Sequence, residues 1–293
     1  MTQAAPPHAD TDVILYEVAP RDGLQNEARP IPAADKIRLV DLLSDAGFRY
    51  IEAASFVSAR WVPQMADAAA VLGGIRRAPG VTYAALTPNL RGYDDAKAAR
   101  AGEVAVFAAA SEGFSRKNIN CSVAESLDRF RPVAEAAAAD GMPLRGYVSC
   151  VTDCPFDGPV APGAVAEVTA ALLAMGCREV SLGDTLGAAT PETTAAMLDA
   201  VLAVAPPERL AGHFHDTRGR ALDNIAVSLD KGLRVFDASA GGLGGCPYAP
   251  GAAGNVDTRK VAAMMAERGL ATGIDPDRLE TAARVALTLR EPA

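Results

Sequence analysis

The stretch AVAEVTAALLAMGCREVSLGD, residues 164–184, joins a segment with helical spacing to a short β-rich run. The helical part ends at Gly176, and the run EVSLGD begins at residue 179. A glycine just past a helical stretch is typical of a helix end, and a short apolar run bounded in this way is typical of a buried strand. The same alternation recurs along the chain. The predicted strands are VILYEV (13–18), YIEAASF (50–56), VTYAAL (81–86), EVAVFAA (103–109), LRGYVSC (144–150), EVSLGD (179–184), LAGHFH (210–215) and RVFDASA (234–240).

Strands that alternate with helices pair in parallel, and both faces of such a sheet are buried. About eight units of this kind, with no linker between them, predict one α/β domain, a closed (β/α)₈ TIM barrel. An additional C-terminal helix is expected at about 275–291. We expect a disordered leader at 1–12 and a single catalytic domain at 13–293. A doubly wound open sheet is the alternative, disfavoured because no G-x-G-x-x-G follows the first strand.

Local signals mark the expected helix ends. Ser122 followed by Glu125 is typical of a capping box, in which each side chain bonds the other residue's backbone N–H. Thr190-Pro191 and Asp275-Pro276 each place a capping residue before proline at the first helical position. Helices are therefore predicted to begin at these three points.

The composition excludes several classes of protein. With 49% hydrophobic residues the chain can bury a large core, which excludes a mostly disordered protein. A net charge of −8 argues against a general nucleic-acid or anionic-membrane surface. No apolar stretch reaches the roughly 18 residues of a membrane helix. The five cysteines are odd in number and none forms C-x-x-C, so we expect a reduced, soluble, cytoplasmic protein.

Two of the three histidines, His213 and His215, stand at the end of the seventh predicted strand. Residues i and i+2 of a strand project to one face, so both imidazoles can reach one metal ion while Phe214 faces the helix layer. The alternative is a pair of polar core residues, each with its own hydrogen-bond partner. Their position at a strand end of a barrel, where active sites form, favours the metal site.

Oxygen donors are expected near these histidines. Two histidines with oxygen ligands and open positions are typical of a divalent cation that activates a substrate oxygen. The candidates are Asp22, Glu17, Asp184 and Asn255, and Arg21 stands directly beside Asp22. The alternatives are a surface salt bridge for Arg21 and Asp22, and a helix N-cap for Asn255.

The segment GGLGGCPYAPGAAGN, residues 241–255, follows the eighth predicted strand. Its glycines and prolines exclude a helix or strand, so it is predicted to be an irregular loop. Loops of this length in compact domains are often functional. Cys246 lies among five of these glycines, which suits a loop that closes over a substrate. The alternative is an inert thiol in a flexible loop.

Six motifs together resemble the 3-hydroxy-3-methylglutaryl-CoA lyase family, in order through essentially the whole chain. The resemblance implies a barrel enzyme that uses Mg²⁺ or Mn²⁺ to cleave 3-hydroxy-3-methylglutaryl-CoA to acetyl-CoA and acetoacetate. This reaction belongs to leucine breakdown and ketone-body formation. The implied partner is a small-molecule acyl-CoA, with no nucleic acid and no membrane, and the implied assembly is a homodimer. The motifs are EVAPRDGLQNE (17–27), IEAASFVSARWVPQM (51–65), KNINCS (117–122), SLGDTLG (181–187), HFHDTRGRALDN (213–224) and GGLGGCPYAPGAAGN (241–255).

The same resemblance implies a role for individual residues. The implied metal ligands are Asp22, His213, His215 and Asn255. The implied catalytic residues are Cys246, Arg21, Asp22, His213, Asp184 and Glu52, and the implied substrate-binding residues are Arg21, Glu17 and Gln25.

In the implied reaction, Asp22 or His213 takes the proton of the C3 hydroxyl. Arg21 stabilises the charge that develops on the thioester oxygen. Cys246, on its glycine-rich loop, protonates the acetyl-CoA carbanion. The role of this cysteine comes from the resemblance alone.

One position departs from the family pattern. Where the family has N-x-x-T-E, this chain has Asn255 followed by Arg259 in place of the carboxylate. We expect this charge reversal to weaken the polar network around Arg21, and through it to change the activity level or the acyl preference. The carboxylate of Asp257 could compensate for it. A lyase for another 3-hydroxyacyl-CoA, such as citramalyl-CoA or a longer branched thioester, and a metal-binding pseudoenzyme stay open as alternatives. A condensing synthase is disfavoured because such enzymes lack the loop at 241–255.

Overall fold

The computed structural model describes residues 11–245 and 254–290, and its centre is a closed barrel of eight parallel strands. Around the barrel the strands follow the order β1-β8-β7-β6-β5-β4-β3-β2, and every neighbouring pair is parallel. The predicted TIM barrel is confirmed, and the open sheet is wrong. The strands are β1 Ile14–Glu17, β2 Tyr50–Ser55, β3 Thr82–Leu86, β4 Glu103–Ala109, β5 Leu144–Ser149, β6 Glu179–Asp184, β7 Leu210–Phe214 and β8 Val235–Ala238.

Helices cover the outside of the barrel. The predicted additional helix is present as α10, which packs against α1. A short antiparallel pair, Asp153–Cys154 with Gly158–Pro159, follows β5. The helices are α1 Ala33–Asp45, α2 Ala68–Gly74, α3 Leu90–Ala98, α4 Glu112–Ile119, α5 Val123–Asp140, α6 Pro162–Met175, α7 Pro191–Leu202, α8 Ala221–Asp230, α9 Thr258–Glu267 and α10 Pro276–Arg290.

The predicted helix starts are confirmed. The Ser122 hydroxyl accepts from the Glu125 N–H at 3.1 Å, and the Glu125 carboxylate accepts from the Ser122 N–H at 2.7 Å. Thr190 caps α7 ahead of its N-terminal proline, and Asp275 accepts from two N–H groups at the start of α10. Because these caps satisfy N–H groups that have no intrahelical partner, they define where each helix begins.

The main hydrophobic core lies between the strands and the surrounding helices. Phe214 of β7 belongs to it and is almost fully buried, as predicted. Cys177 is fully buried in the same core. Within the described residues, the four cysteines are free thiols.

The inside of the barrel, by contrast, is charged. Arg145 of β5 is fully buried, with its guanidinium 2.8 Å from a Glu179 oxygen and 2.7 Å from an Asp237 oxygen. The guanidinium carbon also lies 4.0 Å from the ring centre of Tyr16. Buried charges are tolerated when they are paired and hydrogen-bonded in this way. No local pattern in the sequence predicts this network.

The expected leader lies largely outside the described residues. Asp12, at its end, exchanges two hydrogen bonds with the Ala271 backbone, both 2.8 Å long. None of the helices in the described ranges is long and apolar enough to cross a membrane.

Candidate active site

The predicted site residues that lie within the described ranges converge at the C-terminal ends of the barrel strands. Directly after β1, a short π-helical turn, Ala19–Gly23, carries Arg21 and Asp22. His213 and His215 lie at the end of β7, and their ring centres are 5.4 Å apart. π-Helical turns are rare and are frequently found at functional sites.

Asp22, His213 and His215 form a cluster that could hold a metal ion. Each offers one ligand atom, and these atoms all lie within 4.8 Å of one another. Asn255 closes the cluster, since its backbone pairs with His215 and its amide nitrogen lies 2.7 Å from Asp22 Oδ2. The same amide nitrogen donates to the Leu243 carbonyl, so the amide oxygen is the atom that Asn255 can offer a cation.

The N-cap alternative for Asn255 is wrong. Helix α9 begins at Thr258, and its N-cap is Asp257, whose side chain accepts from the Arg259 N–H. Asn255 is almost fully buried three residues before the helix. Its side chain therefore belongs to the cluster and not to the helix end.

The protonation states suit a divalent cation. Burial and the neighbouring His213 lower the pKa of His215 to about 4, so its imidazole is neutral at physiological pH. Burial disfavours the charged form of Asp22, but Arg21, the two histidines and the hydrogen bond from Asn255 together outweigh it, and the pKa of Asp22 is about 2. Unprotonated imidazole nitrogen and carboxylate oxygen are the donors that such an ion requires.

The alternative of private hydrogen-bond partners holds for only one of the histidines. His213 Nδ1 lies 3.1 Å from Asp237 Oδ2, which leaves its Nε2 on the side of Asp22. His215 Nδ1 is buried and has no hydrogen-bond partner among residues 11–245 and 254–290. A buried polar atom without a partner costs about 1–3 kcal/mol, and a bound cation would remove that cost. The residues present therefore fit a metal ion.

Arg21 is held between two carboxylates. Its Nε lies 2.6 Å from Glu52 Oε2, and its Nη1 lies 2.6 Å from Asp22 Oδ1. Arg21 is buried and Asp22 is only partly exposed, so the alternative of a surface salt bridge between them is wrong. The second Glu52 oxygen has no partner in the described part of the chain. The guanidinium carbon lies 5.7 Å from the Tyr147 ring centre, which fixes its orientation further.

Glu17 joins three segments of the site. Its Oε1 accepts from the N–H groups of Ala19 at 2.8 Å and Ala240 at 2.9 Å, and its Oε2 accepts from the Thr258 hydroxyl at 2.8 Å. The side chain has no exposed surface. Both oxygens of Glu17 are therefore bonded to protein groups, and the expected contact with the substrate is wrong. Instead the side chain forms a clamp, meaning that its hydrogen bonds join the β1 turn to the segments before and after the loop at 241–255. Burial raises the pKa of Glu17 to about 7, despite these three hydrogen bonds.

Asp184 and Gln25 differ in how far they are buried. Asp184 is buried at the end of β6 and accepts from the N–H groups of Ala188 and Ala189, each at 3.1 Å. Burial raises the pKa of Asp184 to about 6. Gln25 is half-buried on the loop after β1, where it lines a cleft of about 380 Å³ beside the exposed Trp61.

Arg259 does not disturb the Arg21 network. Its guanidinium lies 2.6 Å from Asp257 and 3.0 Å from Glu280, which connects α9 to α10. Arg21 keeps Asp22 and Glu52 as its partners. The charge reversal is therefore neutralised locally by Asp257, the residue expected to compensate.

Cys246 lies outside the described residues. The preceding Gly244 has φ +96, and a Cβ there would lie 2.5 Å from the Asn255 amide nitrogen and 3.1 Å from the Asp22 carbonyl. Glycine is therefore required where this loop leaves the site. The Asn26 amide also contacts the Gly245 carbonyl at 3.3 Å.

Sequence reasoning missed the groups beneath the site, namely Asp237, Ser181, Arg145 and Tyr147. Asp237 contacts His213, Arg145 and Ser181, and the Tyr147 hydroxyl accepts from Arg145 at 2.8 Å. The one available signal was the presence of ionisable residues inside predicted buried strands. Such residues are rarely buried unless they are paired.

Comparisons with known proteins identify the family of this chain. The HMGL-like family profile matches residues 12–286. A 3-hydroxy-3-isohexenylglutaryl-CoA/hydroxymethylglutaryl-CoA lyase of Pseudomonas aeruginosa is 59% identical over 90% of this chain and 88% of its own length. The mitochondrial hydroxymethylglutaryl-CoA lyase of Bos taurus is 54% identical over 91% of this chain and 82% of its own length.

The structural comparison gives the same result. The crystal structure of the HMG-CoA lyase from Brucella melitensis superposes with a TM-score of 0.95 and 62% identity, covering 96% of this chain and 99% of that one. The family resemblance of the six motifs is confirmed. The chain belongs to the HMGL-like family.

Proposed function

We propose that the chain is a divalent-metal-dependent carbon–carbon lyase that cleaves 3-hydroxy-3-methylglutaryl-CoA to acetyl-CoA and acetoacetate. The observation that carries this proposal is the convergence of Asp22, His213, His215 and Asn255 beside the buried Arg21 at the barrel mouth. The relatives named as hydroxymethylglutaryl-CoA lyases, more than half identical over nearly the whole chain, support the same substrate.

Asp22, His213, His215 and the Asn255 amide oxygen would hold the cation. When bound, a divalent cation lowers the pKa of a hydroxyl group and orients it. Mg²⁺ or Mn²⁺ is proposed from the family resemblance, and the carboxylate and amide oxygens of the donor set suit either ion. The burial of His213 and His215 keeps the donors in one arrangement.

The C3 hydroxyl proton needs an acceptor at the barrel mouth. Asp22 and His213 are the candidates for this role, and the 4.0 Å between Asp22 Oδ2 and His213 Nε2 supports both. Removal of this proton allows the C2–C3 bond to break, with its electrons passing to the thioester enolate. The proton acceptor and the cation ligands therefore occupy one compact site.

Arg21 would stabilise the thioester enolate. Its guanidinium is buried, charged and held by Glu52 and Asp22 before the substrate arrives. Preorganised donors of this kind are often the largest single contribution to catalysis. We assign Glu52, Glu17 and Asp184 to positioning, because their described hydrogen bonds are made with protein groups. The substrate contact of Gln25 is proposed from the resemblance alone.

Cys246 would protonate the carbanion at C2 of acetyl-CoA. An ordinary thiol has a pKa near 8.5 and is a workable acid at neutral pH. Cys246 follows Gly244 by two positions in the sequence, and Gly244 lies against Asn255 and Asp22, which supports this role.

A second acyl group has specific support. The relative from Pseudomonas aeruginosa is named for both 3-hydroxy-3-isohexenylglutaryl-CoA and hydroxymethylglutaryl-CoA. We therefore propose a lyase for a longer branched 3-hydroxyacyl-CoA as the second candidate. The chemistry at the cation and Arg21 would be the same, and only the space for the C3 substituent would differ.

A substrate panel tests these proposals. The purified chain is incubated with 3-hydroxy-3-methylglutaryl-CoA, its isohexenyl analogue or citramalyl-CoA, with Mg²⁺, Mn²⁺ or EDTA, and products are identified by mass spectrometry. We expect acetyl-CoA and acetoacetate from the first thioester, dependent on the cation and lost in His215→Ala. Glu135→Gln, on the exposed surface of α5, is the control for handling and folding.

Each outcome decides between the candidates. Preferential cleavage of the isohexenyl or citramalyl thioester would reassign the acyl group while keeping the reaction. No cleavage by a folded, metal-binding chain would favour the pseudoenzyme. A homodimeric state and a cytoplasmic location remain proposals from the resemblance and the cysteine pattern, tested by light scattering and by cell fractionation.

A further inference from the structure

The two nitrogens of His213 face different carboxylates. Asp237 of β8 lies directly opposite His213 of β7 in the parallel register, and its Oδ2 is 3.1 Å from His213 Nδ1. The other nitrogen, Nε2, lies 4.0 Å from Asp22 Oδ2 in the cation cluster. His213 therefore bridges the barrel interior and the cation cluster.

Asp237 is held as a carboxylate by buried donors. Arg145 places its Nη2 2.7 Å from Asp237 Oδ1 and its Nη1 3.1 Å from Oδ2, and the Ser181 hydroxyl donates to Oδ2 at 2.7 Å. A two-point contact with a buried guanidinium and a hydroxyl donor stabilise the ionised form of this carboxylate. An ionised carboxylate can only accept hydrogen bonds, so the neutral His213 must carry its proton on Nδ1.

We propose that Asp237 is a positioning residue that fixes the Nδ1–H tautomer of His213 and directs the Nε2 lone pair into the cation site. The proposal rests on the proposed role of His213 as a metal ligand. Outer-shell carboxylates of this kind orient the imidazole and increase its basicity, and their loss typically costs about 10–100-fold in metal affinity. His215 Nδ1 has no such partner in the described ranges, so the proposal is specific to His213.

The matched variants are Asp237→Asn and Glu179→Gln. In Asp237→Asn, the new amide must turn one N–H group towards a donor, because both oxygens of Asp237 accept hydrogen bonds. The Oδ2 position, which faces His213, lies 3.1 Å from Arg145 Nη1, whereas the Oδ1 position lies 2.7 Å from Nη2. We therefore expect the amide nitrogen at the Oδ2 position, where its two N–H groups can donate to His213 Nδ1 and to the Ser181 hydroxyl, and this reverses the tautomer. Glu179→Gln removes the other carboxylate partner of Arg145 without touching His213.

Two measurements separate positioning from structural damage. The first is ¹⁵N NMR of the metal-free protein at pH 9, where the chain's three histidines can be assigned by single variants. The second is Mn²⁺ affinity by calorimetry. We expect Nδ1–H at His213 in the wild type and in Glu179→Gln, and Nε2–H in Asp237→Asn. Mn²⁺ affinity should fall about 10–100-fold in Asp237→Asn and less than about threefold in Glu179→Gln.

The outcomes are distinguishable from failure of the proposed function. If His213 of the wild type carries its proton on Nε2, the positioning role of Asp237 is overturned. This measurement needs no variant, so it tests the proposal even if Asp237→Asn does not fold. Equal losses of affinity in the two variants, or none in Asp237→Asn, overturn it as well. If the wild type binds no Mn²⁺ at all, the proposed metal site fails, and a confirmed Nδ1–H tautomer would then stand alone.

Discussion

Replacement of Glu17 by Gln tests how a buried carboxylate holds the site together. Glu17 accepts from Ala19, Ala240 and Thr258, and so links the β1 turn to the two segments that flank the loop at 241–255. Glutamine keeps the shape of this clamp, with one oxygen for the two N–H groups and an amide that can donate to the Thr258 hydroxyl. It removes only the ability to ionise.

The magnitude follows from the pKa of Glu17. Burial raises this pKa from 4.5 to about 7, so the folded protein holds the Glu17 proton more tightly than the unfolded chain does. This contribution to stability is fully present below pH 4.5 and is lost as the pH rises through 7. A tenfold difference in proton affinity between the folded and unfolded protein corresponds to about 1.4 kcal/mol, which makes the loss about 3 kcal/mol across the window.

Urea denaturation followed by circular dichroism, at intervals from pH 4.5 to 8, measures the effect. The free energy of unfolding of Glu17→Gln, relative to wild type, should rise by about 3 kcal/mol over this range. Subtracting the free energy of unfolding of the wild type from that of the variant cancels the contributions of other groups that titrate in this range, such as Asp184. Glu135→Gln is the control for the loss of one formal charge. A difference that stays constant with pH would refute a buried, proton-binding Glu17.

Three further predictions concern the site itself. His215→Ala should weaken Mn²⁺ binding in calorimetry without lowering the melting temperature, and unchanged affinity would contradict the ligand assignment. Arg21→Lys should raise the activation free energy of the catalysed step by several kcal/mol, and so lower kcat, with a smaller effect on KM. The reason is that an ammonium cannot replace the planar guanidinium that bonds both Glu52 and Asp22. Steady-state kinetics measure both constants. Cys246→Ala should lower kcat by about 10²–10⁴-fold. If this variant is fully active and a thiol-alkylating agent still inactivates it, another thiol donates the proton to the carbanion.

Much of the fold and the mouth of the site could be predicted because both depend on local patterns. Alternating strands and helices predict a parallel barrel, and a barrel places strand ends at one mouth. His213 and His215 share a face because strand side chains alternate, and Asp22 follows the first strand. These inferences need the order of the elements, but not the pairing of individual residues.

The groups that support the site depend on pairing between distant segments, which the sequence pattern does not contain. Asp237 meets His213, and Arg145 meets Glu179, because each pair is opposite in the parallel register of neighbouring strands. A register shifted by one residue would place Phe236 or Ala238 opposite His213 and leave Arg145 buried beside a different residue. Glu17 likewise meets Ala240 only after the barrel closes between β1 and β8. Barrel closure therefore creates the second layer of the site. The order of strands predicts where chemistry occurs, and the register between them decides the protonation and orientation of the groups that perform it.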